Sequence, residues 1–320
     1  MDWPERIGRR IKLRDLHVLL AIVQSGSIAK AAEQLAISQP VVSKVVADLE
    51  QVLGVRLLDR DRYGAAATIY GAALLKRGIA AFDELKQGVK EIEFLKDASG
   101  GELRLGASGV MAEGLLPAIL NRLRREYPLV TIHITQGLSG PTLYRELRDR
   151  NVDLIVGRMN LPIDDDDLAG EILFDDPLLV VAGPRHPLLR RRKLELRQLM
   201  NEPWIFPEGS VARTVIEETF AACQLRLPQA TIVSSSLALH EAMLATDPLL
   251  AMWPASVLLW GARRHFVRPL PVTLPELPRP VGIVTLKRRM ISPLAQLFID
   301  SARETARSIL QERPRKRADG

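Results

Sequence analysis

The residue types with the clearest chemical use lie between Ser25 and Arg62. Gln39, Val41, Ser43 and Lys44 fall off the apolar line Val42, Val46, Leu49, Leu53, so on a helix they face outward while the line holds it down. Such a face suits the major groove of DNA. A glutamine amide makes paired hydrogen bonds to adenine, a valine methyl meets the thymine methyl, serine tolerates either hydrogen-bonding partner, and lysine reaches guanine or a phosphate. Arg60, Arg62, Lys30 and Ser27 flank that face with groups that hold phosphates, adding salt-sensitive affinity without reading sequence.

Positioning that face needs three short helices. Leu16, Leu19, Leu20 and Val23 have the spacing of one buried stripe, and Ser25-Gly26-Ser27 ends that helix. Ser27 is the expected N-cap of a second helix with apolar face Ile28, Ala31, Ala32 and Leu35. Ser38 is the expected cap of the third, with Pro40 in its first turn and Gly54 at its end. Val55 to Leu58 and Ala66 to Ile69 are β-compatible pieces around the polar Asp59–Gly64, which predicts a wing. From Tyr70 to Lys96, Leu75, Ile79, Phe82, Leu85, Val89, Ile92 and Leu95 recur at three- and four-residue steps, the pattern of a long helix that pairs with a copy of itself. Asp97–Gly101 then reads as a linker.

Beyond it, strands and helices alternate: Leu103–Ala107, Leu115–Tyr127, Val130–Gln136, Leu143–Asp149, Asp153–Gly157, Leu178–Ala182, Val281–Leu286 and Pro293–Leu310. That order predicts a parallel sheet and an α/β class, with two lobes joined by crossing strands. The expected domains are 1–70 (winged helix-turn-helix), 71–97 (linker and dimerisation helix) and 98–320 (regulatory). The regulatory part divides into lobe 1, about 102–160 and 268–312, and lobe 2, about 161–267. A cleft between lobes would be lined by strand C-termini and helix N-termini, which suit anions. Ser108-Gly109-Val110, Gln136-Gly137 and Gly157-Arg158 occupy such positions. Arg158 could meet an anionic effector or pair with nearby aspartates. The expected ligand is a small metabolite, a carboxylate or a sugar.

At 320 residues and 47% hydrophobic, the chain can bury more than one core, and 44 Lys and Arg against 38 Asp and Glu favour an anionic partner. Cys223 is the single cysteine, which excludes a disulfide framework and a thiolate metal cluster. Four consecutive aspartates, Asp164 to Asp167, lack the spacing of a cation loop, so no metal and no cofactor is expected. No nucleophile, acid and base set marks an enzyme: Cys223 has no motif that places a histidine beside it, and His133 and His186 sit in a strand-like and a Pro-flanked segment. Met1–Arg6 lacks an apolar run and Leu249–Ala262 is short and interrupted by Pro254, so a cytoplasmic protein without membrane contact is expected. The basic tail Arg313 to Arg317 is expected to be disordered.

One connected set carries a family resemblance: Leu16-x-x-Leu-Leu, Ser25-Gly26-Ser27-Ile28-x-x-Ala31-Ala32-x-x-Leu35, Ser38-Gln39-Pro40-x-Val42-Ser43-Lys44, Leu49-Glu50, Leu53-Gly54-Val55-x-Leu57-Leu58-x-Arg60 and Thr68-x-x-Gly71. It resembles the LysR-type transcriptional regulators over about the first quarter of the chain. The resemblance implies a two-lobed, periplasmic-binding-protein-like effector domain behind a linker helix. It also implies homodimers paired into homotetramers on promoter DNA, with a small coinducer altering the DNA geometry. DNA contacts fall at Gln39, Pro40, Ser43, Lys44 and Arg60, with Ser38 and Val41 beside them. Ser108 and Gln136 face the pocket, with Trp204, Phe206 and the Ser234-Ser235-Ser236 cluster across it. The expected function is control of a catabolic or transport operon, with RNA polymerase as a further partner. Tyr63 to Ala67 departs from the family's more basic wing tip, so no contacts are expected there. Trp3-Pro4-x-Arg6-Ile7 and Pro203-Trp204-x-x-Pro207 resemble the branch that regulates sugar-binding-protein and aromatic-acid catabolic genes.

Overall fold

The computed structural model describes residues 10–61, 64–137, 140–159, 165–208, 211–260 and 266–312. Arg62, Asp164, the opening Trp3–Ile7 segment and the basic tail Arg313–Arg317 lie outside them. The chain forms two compact units, Met1–Val89 and Lys90–Gly320.

In the first unit, α1 (Leu13–Ser25) starts where the Lys12 main-chain N–H donates to the Asp15 carboxylate at 3.0 Å, and it ends at Gly26, whose φ of +71° is the left-handed cap that glycine adopts freely. Val18, Leu19, Ala21 and Ile22 are its buried residues, so the expected stripe is rotated: Leu16, Leu20 and Val23 sit at its margin. The apolar arc is wider than one stripe because α1 packs against two helices at once. In α2 (Ile28–Gln34) the Ser27 hydroxyl accepts the Lys30 N–H at 3.1 Å, and the buried Ala31 and Ala32 let a neighbouring helix come close. Helix α3 (Gln39–Leu53) begins at Ser38, but the expected side-chain cap is not made. Pro40 offers no N–H, and the N–H groups of Val41 and Val42 donate to the Ser38 main-chain carbonyl instead. Val42, Val46 and Leu49 are buried and Leu53 is half-buried.

The wing pairs β1 (Leu58–Asp61) with β2 (Gly64–Ala67), from Leu58 opposite Ala67 to Asp61 opposite Gly64. The charged Asp59-Arg60-Asp61, expected in the turn, is therefore strand, and the ladder is shifted from the expected pieces. Two contacts set this register. The Glu50 Oε1 accepts the N–H groups of Leu57 and Leu58 at 2.7 and 3.3 Å, and Leu57 gives its carbonyl to the Thr68 N–H, so the ladder opens at Leu58. The Thr68 hydroxyl donates to the Arg56 carbonyl and accepts the Gly71 N–H, opening α4 (Ile69–Lys96). Gly71 is required there, because a Cβ would stand 2.1 Å from the Leu57 carbonyl oxygen. Leu75 joins the unit's core, Gly78 packs over Leu16, and Phe82 meets His17 edge-on. The division between the two compact units falls inside α4, at Val89/Lys90.

The second unit holds two five-stranded sheets. The first contains β3 (Gly100–Ser108), β4 (Leu129–Gly137), β5 (Leu154–Arg158), β6 (Leu168–Asp175) and β12 (Pro280–Leu286), in the order β4-β3-β5-β12-β6. Helices α5 (Gly109–Glu113), α6 (Leu115–Glu126), α7 (Gly140–Arg148) and α11 (Pro293–Glu312) go with it. The expected parallel pairing holds here for β4-β3-β5. Strand β12 runs antiparallel to β5 and β6, because β6 carries the chain out to the other lobe and β12 brings it back. The second sheet orders β11 (Arg268–Pro269), β7 (Leu178–Ala182), β10 (Leu250–Pro254), β8 (Trp204–Phe206) and β9 (Ala230–Val233). The expected parallel pairing holds in it for β10-β8-β9. Helices α8 (Val211–Ala222), α9 (Leu237–Thr246) and α10 (Ala255–Trp260) complete that part of the chain. The expected lobe limits are corrected accordingly. Residues Leu168–Asp175 pair across the whole length of β12 and belong to lobe 1, whereas Arg268 and Pro269 pair with β7 in lobe 2. No helix among the described residues is long and apolar enough to cross a membrane.

Candidate nucleic-acid interface and ligand cavity

On α3, Ser38, Gln39, Pro40, Val41 and Lys44 are exposed and Ser43 is half-buried. The side chains of Gln39, Ser43 and Lys44 have no hydrogen bond or ion pair among the described residues, so their donors and acceptors are available on one face over the buried Val42, Val46 and Leu49. The Ser27 hydroxyl accepts from the main chain and keeps its own proton to donate; Lys30 is exposed beside it. Arg60 is exposed on β1, opposite Ala65, whose N–H donates to the Gly26 carbonyl and so ties the wing to the turn before α2. Arg56, within the predicted Val55–Leu58 piece, is also exposed at the wing's base.

In the second unit, a cavity of about 260 Å³ lies between the lobes. Of the expected residues, Ser108, Gly109, Arg158 and Ser235 line it. Ser108 stands at the start of α5 with no side-chain cap, leaving its hydroxyl turned to other use. The neighbours of Ser235 are structural: the Ser236 hydroxyl caps α9 by accepting the Leu239 N–H, and Ser234 accepts the Ser236 N–H.

Three expectations are corrected. Gln136 is exposed on the edge strand β4 and does not line the cavity; Gly137, one residue on, does. Trp204 and Phe206 are fully buried in the core of lobe 2, stacked at 5.3 Å and packed edge-on to Phe220, with the Trp204 Nε1–H donating to the Leu199 carbonyl at 2.9 Å. Residues two apart on a strand share a face, so β8 turns both rings to one core while Ile205 enters the other.

Besides Ser108, Arg158 and Ser235, Tyr144, His240 and Trp253 reach the cavity, and these three sequence reasoning missed. His240 and Trp253 come from α9 and β10, elements that had no distinct periodic signal. The His240 Nε2 lies 2.6 Å from the Ser234 carbonyl and its Nδ1 accepts the Trp253 Nε1–H at 3.4 Å, which assigns the proton to Nε2. Burial holds this imidazole below its usual pKa. Tyr144 is pushed above the usual phenol value by burial and then by the charge of Asp165.

Arg158 lines the cavity as its one guanidinium among the described residues. Its guanidinium donates to the main-chain carbonyl of Asp176 at 3.3 Å and, more weakly, to that of Arg279. Burial lowers its pKa, and the Asp176 carboxylate, 4.0 Å away, partly offsets this. That carboxylate is itself occupied, accepting the Ser256 N–H at 2.9 Å and the Ser256 hydroxyl at 2.6 Å. Of the acidic run, Asp165 and Asp167 pair with Arg148 at 2.5 and 3.0 Å, and no group of three or more potential metal ligands occurs among the described residues. Cys223 is a half-buried thiol packed against the lobe 2 core.

A helix-turn-helix with a wing, followed by a long helix and a two-lobed ligand-binding unit, defines a DNA-binding regulator. Comparison with known proteins agrees along the chain. Residues 13–72 match the model of the bacterial regulatory helix-turn-helix proteins of the lysR family, and residues 96–307 match the LysR substrate binding domain. The transcriptional activator CmpR of Synechocystis sp. is 30% identical over 308 residues, 93% of this chain and 98% of that protein. The regulator YdcI of Escherichia coli is 28% identical over 305 residues, 95% and 99% of the two chains. Among solved structures, a full-length OxyR variant from Pseudomonas aeruginosa superposes with a TM-score of 0.63 at 22% identity, covering 93% of this chain and 97% of that one. CbnR bound to its target DNA gives 0.55 at 20% identity, covering 92% and 100%. The chain belongs to the LysR family of DNA-binding transcriptional regulators. Its relatives are regulators rather than enzymes.

Proposed function

We propose that this regulator controls a catabolic or transport operon in the cytoplasm and answers to a small carboxylate with an apolar body. The observation that carries the effector class is the cavity's lining. Met111, Leu143, Leu237, Met252 and Trp253 supply its walls, and no carboxylate or amide side chain is among the described residues that line it. A sugar would bury several hydroxyls there without partners, at about 1–3 kcal/mol each. A single carboxylate finds the Arg158 guanidinium, whose present partners are carbonyls, with Ser108 and Ser235 approaching from opposite lobes. Of the two expected classes, this supports the carboxylate over the sugar.

On the DNA side, Gln39, Pro40, Val41, Ser43 and Lys44 read base edges, while Ser27, Lys30, Ser38, Arg60 and Arg62 hold phosphates. Leu85, Val89, Ile92 and Leu95 are exposed along α4, an apolar line that supports pairing with a second copy and assembly to a homotetramer. RNA polymerase is the partner downstream of DNA binding. Calorimetry with benzoate, benzamide and glucose tests the effector class: binding of the carboxylate alone, lost in Ser108→Ala together with Arg158→Ala, is the expected result. Glucose binding, or equal binding of benzamide and benzoate, would overturn it.

A further inference from the structure

The DNA-reading unit does not contain all of the chain's concentrated positive charge. Between β7 and β8, eight consecutive residues, Arg190-Arg191-Arg192-Lys193-Leu194-Glu195-Leu196-Arg197, carry five cations and one carboxylate. All five cations are exposed, and none of their side chains makes a hydrogen bond or ion pair among the described residues. The same unit pairs its arginines readily elsewhere: Arg148 with Asp165 and Asp167, Arg303 with Glu171 and Asp300, Arg122 with Glu304, Arg213 with Glu217. The lone carboxylate in the strip does not answer the cations. Glu195 takes part in a capping box with Gln198 at the 3₁₀ turn Leu196–Leu199.

The strip is also held in place. Leu194 and Leu196 are buried in the lobe 2 core, and the Leu194 N–H donates to the Pro271 carbonyl at 3.0 Å. The apolar side chains are thus turned inward and the outward surface carries cations on an anchored backbone. A protein interface concentrates its binding energy in buried aromatic and aliphatic anchors, which this surface lacks. A phosphate backbone needs positive charge alone, and DNA is the polyanion that the function of this family already brings to the chain.

We infer that the Arg190–Arg197 strip is a second, sequence-independent DNA contact that holds phosphates flanking the operator. It adds affinity and salt dependence and leaves base reading to α3. Each phosphate neutralised steepens the dependence of log K on log salt by about 0.9. The test is the full-length chain with Arg190→Gln, Arg191→Gln, Arg192→Gln and Lys193→Gln combined, titrated over a salt series on a minimal operator and on the same operator extended at both ends. On the extended fragment the slope is expected to fall by about 2–4, with about tenfold or greater loss of affinity at low salt. Binding to the minimal operator stays unchanged, which also shows that the variant is folded. Identical slopes for variant and parent on the extended fragment would overturn the inference. So would equal losses on both fragments, or unchanged DNA binding with weakened binding of purified RNA polymerase, which would reassign the strip to a protein partner.

Discussion

Arg158 lines the cavity and Asp176 is buried beside it, outside the lining, yet the guanidinium bonds the main-chain carbonyl of Asp176 at 3.3 Å while the carboxylate, 4.0 Å off, is held by Ser256. The cation is therefore nearly dry and incompletely matched, and the carboxylate beside it competes with any anion that enters. Asp176→Asn keeps an acceptor for the Ser256 N–H and removes that competing charge. It is expected to tighten benzoate binding about tenfold, the scale of ~1.4 kcal/mol. Arg158→Gln is expected to weaken it by ten- to a hundredfold, or about 1.5–3 kcal/mol for a hydrogen bond to a charged group. Calorimetry of both variants checks the pair, and an Asp176→Asn protein that binds benzoate no better than the parent removes Asp176 as a competitor.

At the DNA face, Gln39→Ala is expected to cost about 1–3 kcal/mol on the preferred operator and to relax selection at one base pair. Lys44→Ala weakens binding while leaving dimerisation intact, because its side chain has no partner among the described residues. Fluorescence anisotropy on the upstream region with single base changes, alongside sedimentation, separates the two effects. Undiminished operator binding in both variants would assign reading to another face.

A buried ionic cluster sits where the end of α4 meets lobe 1. The Asp153 carboxylate accepts from Lys90 Nζ at 3.3 Å, from Arg289 at 2.9 Å and from the Arg104 main-chain N–H at 2.9 Å, and the side chains of Asp153 and Arg289 are only 7% and 5% exposed. Asp153→Asn leaves two cations without their counter-charge and is expected to destabilise the regulatory unit by about 3 kcal/mol. Denaturant unfolding measures this. A loss below about 1 kcal/mol would mean that water already shares the cluster.

His240 gives the cavity a pH dependence of defined sign. Burial depresses its pKa in the folded chain, so below about pH 6.5 the unfolded chain binds the extra proton more readily. The stability supplied by the neutral imidazole is complete above the unfolded-state value and declines as pH falls below it, with a slope of at most about 1.4 kcal/mol per pH unit. His240→Gln is expected to flatten the difference in melting temperature between pH 7 and pH 5. An unchanged difference would show that other groups set it.

Much of this architecture comes from periodicity. The heptad-like spacing of α4, the Ser27 cap, Pro40 and Gly54 at the two ends of α3, and the outward Gln39 and Lys44 are local matters, decided by helical geometry within a few residues. The wing register was less legible. Its shift depends on Glu50, seven residues before the main-chain groups it holds, and on Leu57 giving its carbonyl to Thr68. Strands β8 and β10 were missed because their residues are all buried by distant partners and carry no alternation; β6 was missed although only Leu168 and Phe174 of it are buried.

The amino-acid sequence by itself determined the winged helix-turn-helix, the face of α3 turned to DNA, the long helix and the α/β character of the regulatory unit, because each depends on contacts close along the chain. Only the tertiary structure decided which side chains meet in the cavity. Trp204 and Phe206 are aromatic and stand in the expected segment, yet strand geometry turns both into the core; Tyr144, His240 and Trp253 are brought in from three separate elements instead. Whether Arg158 is free for a ligand was equally undecidable locally. Its environment is built by Asp176, Arg279 and Ser256, which the crossing strands bring together from up to about 120 residues away along the chain.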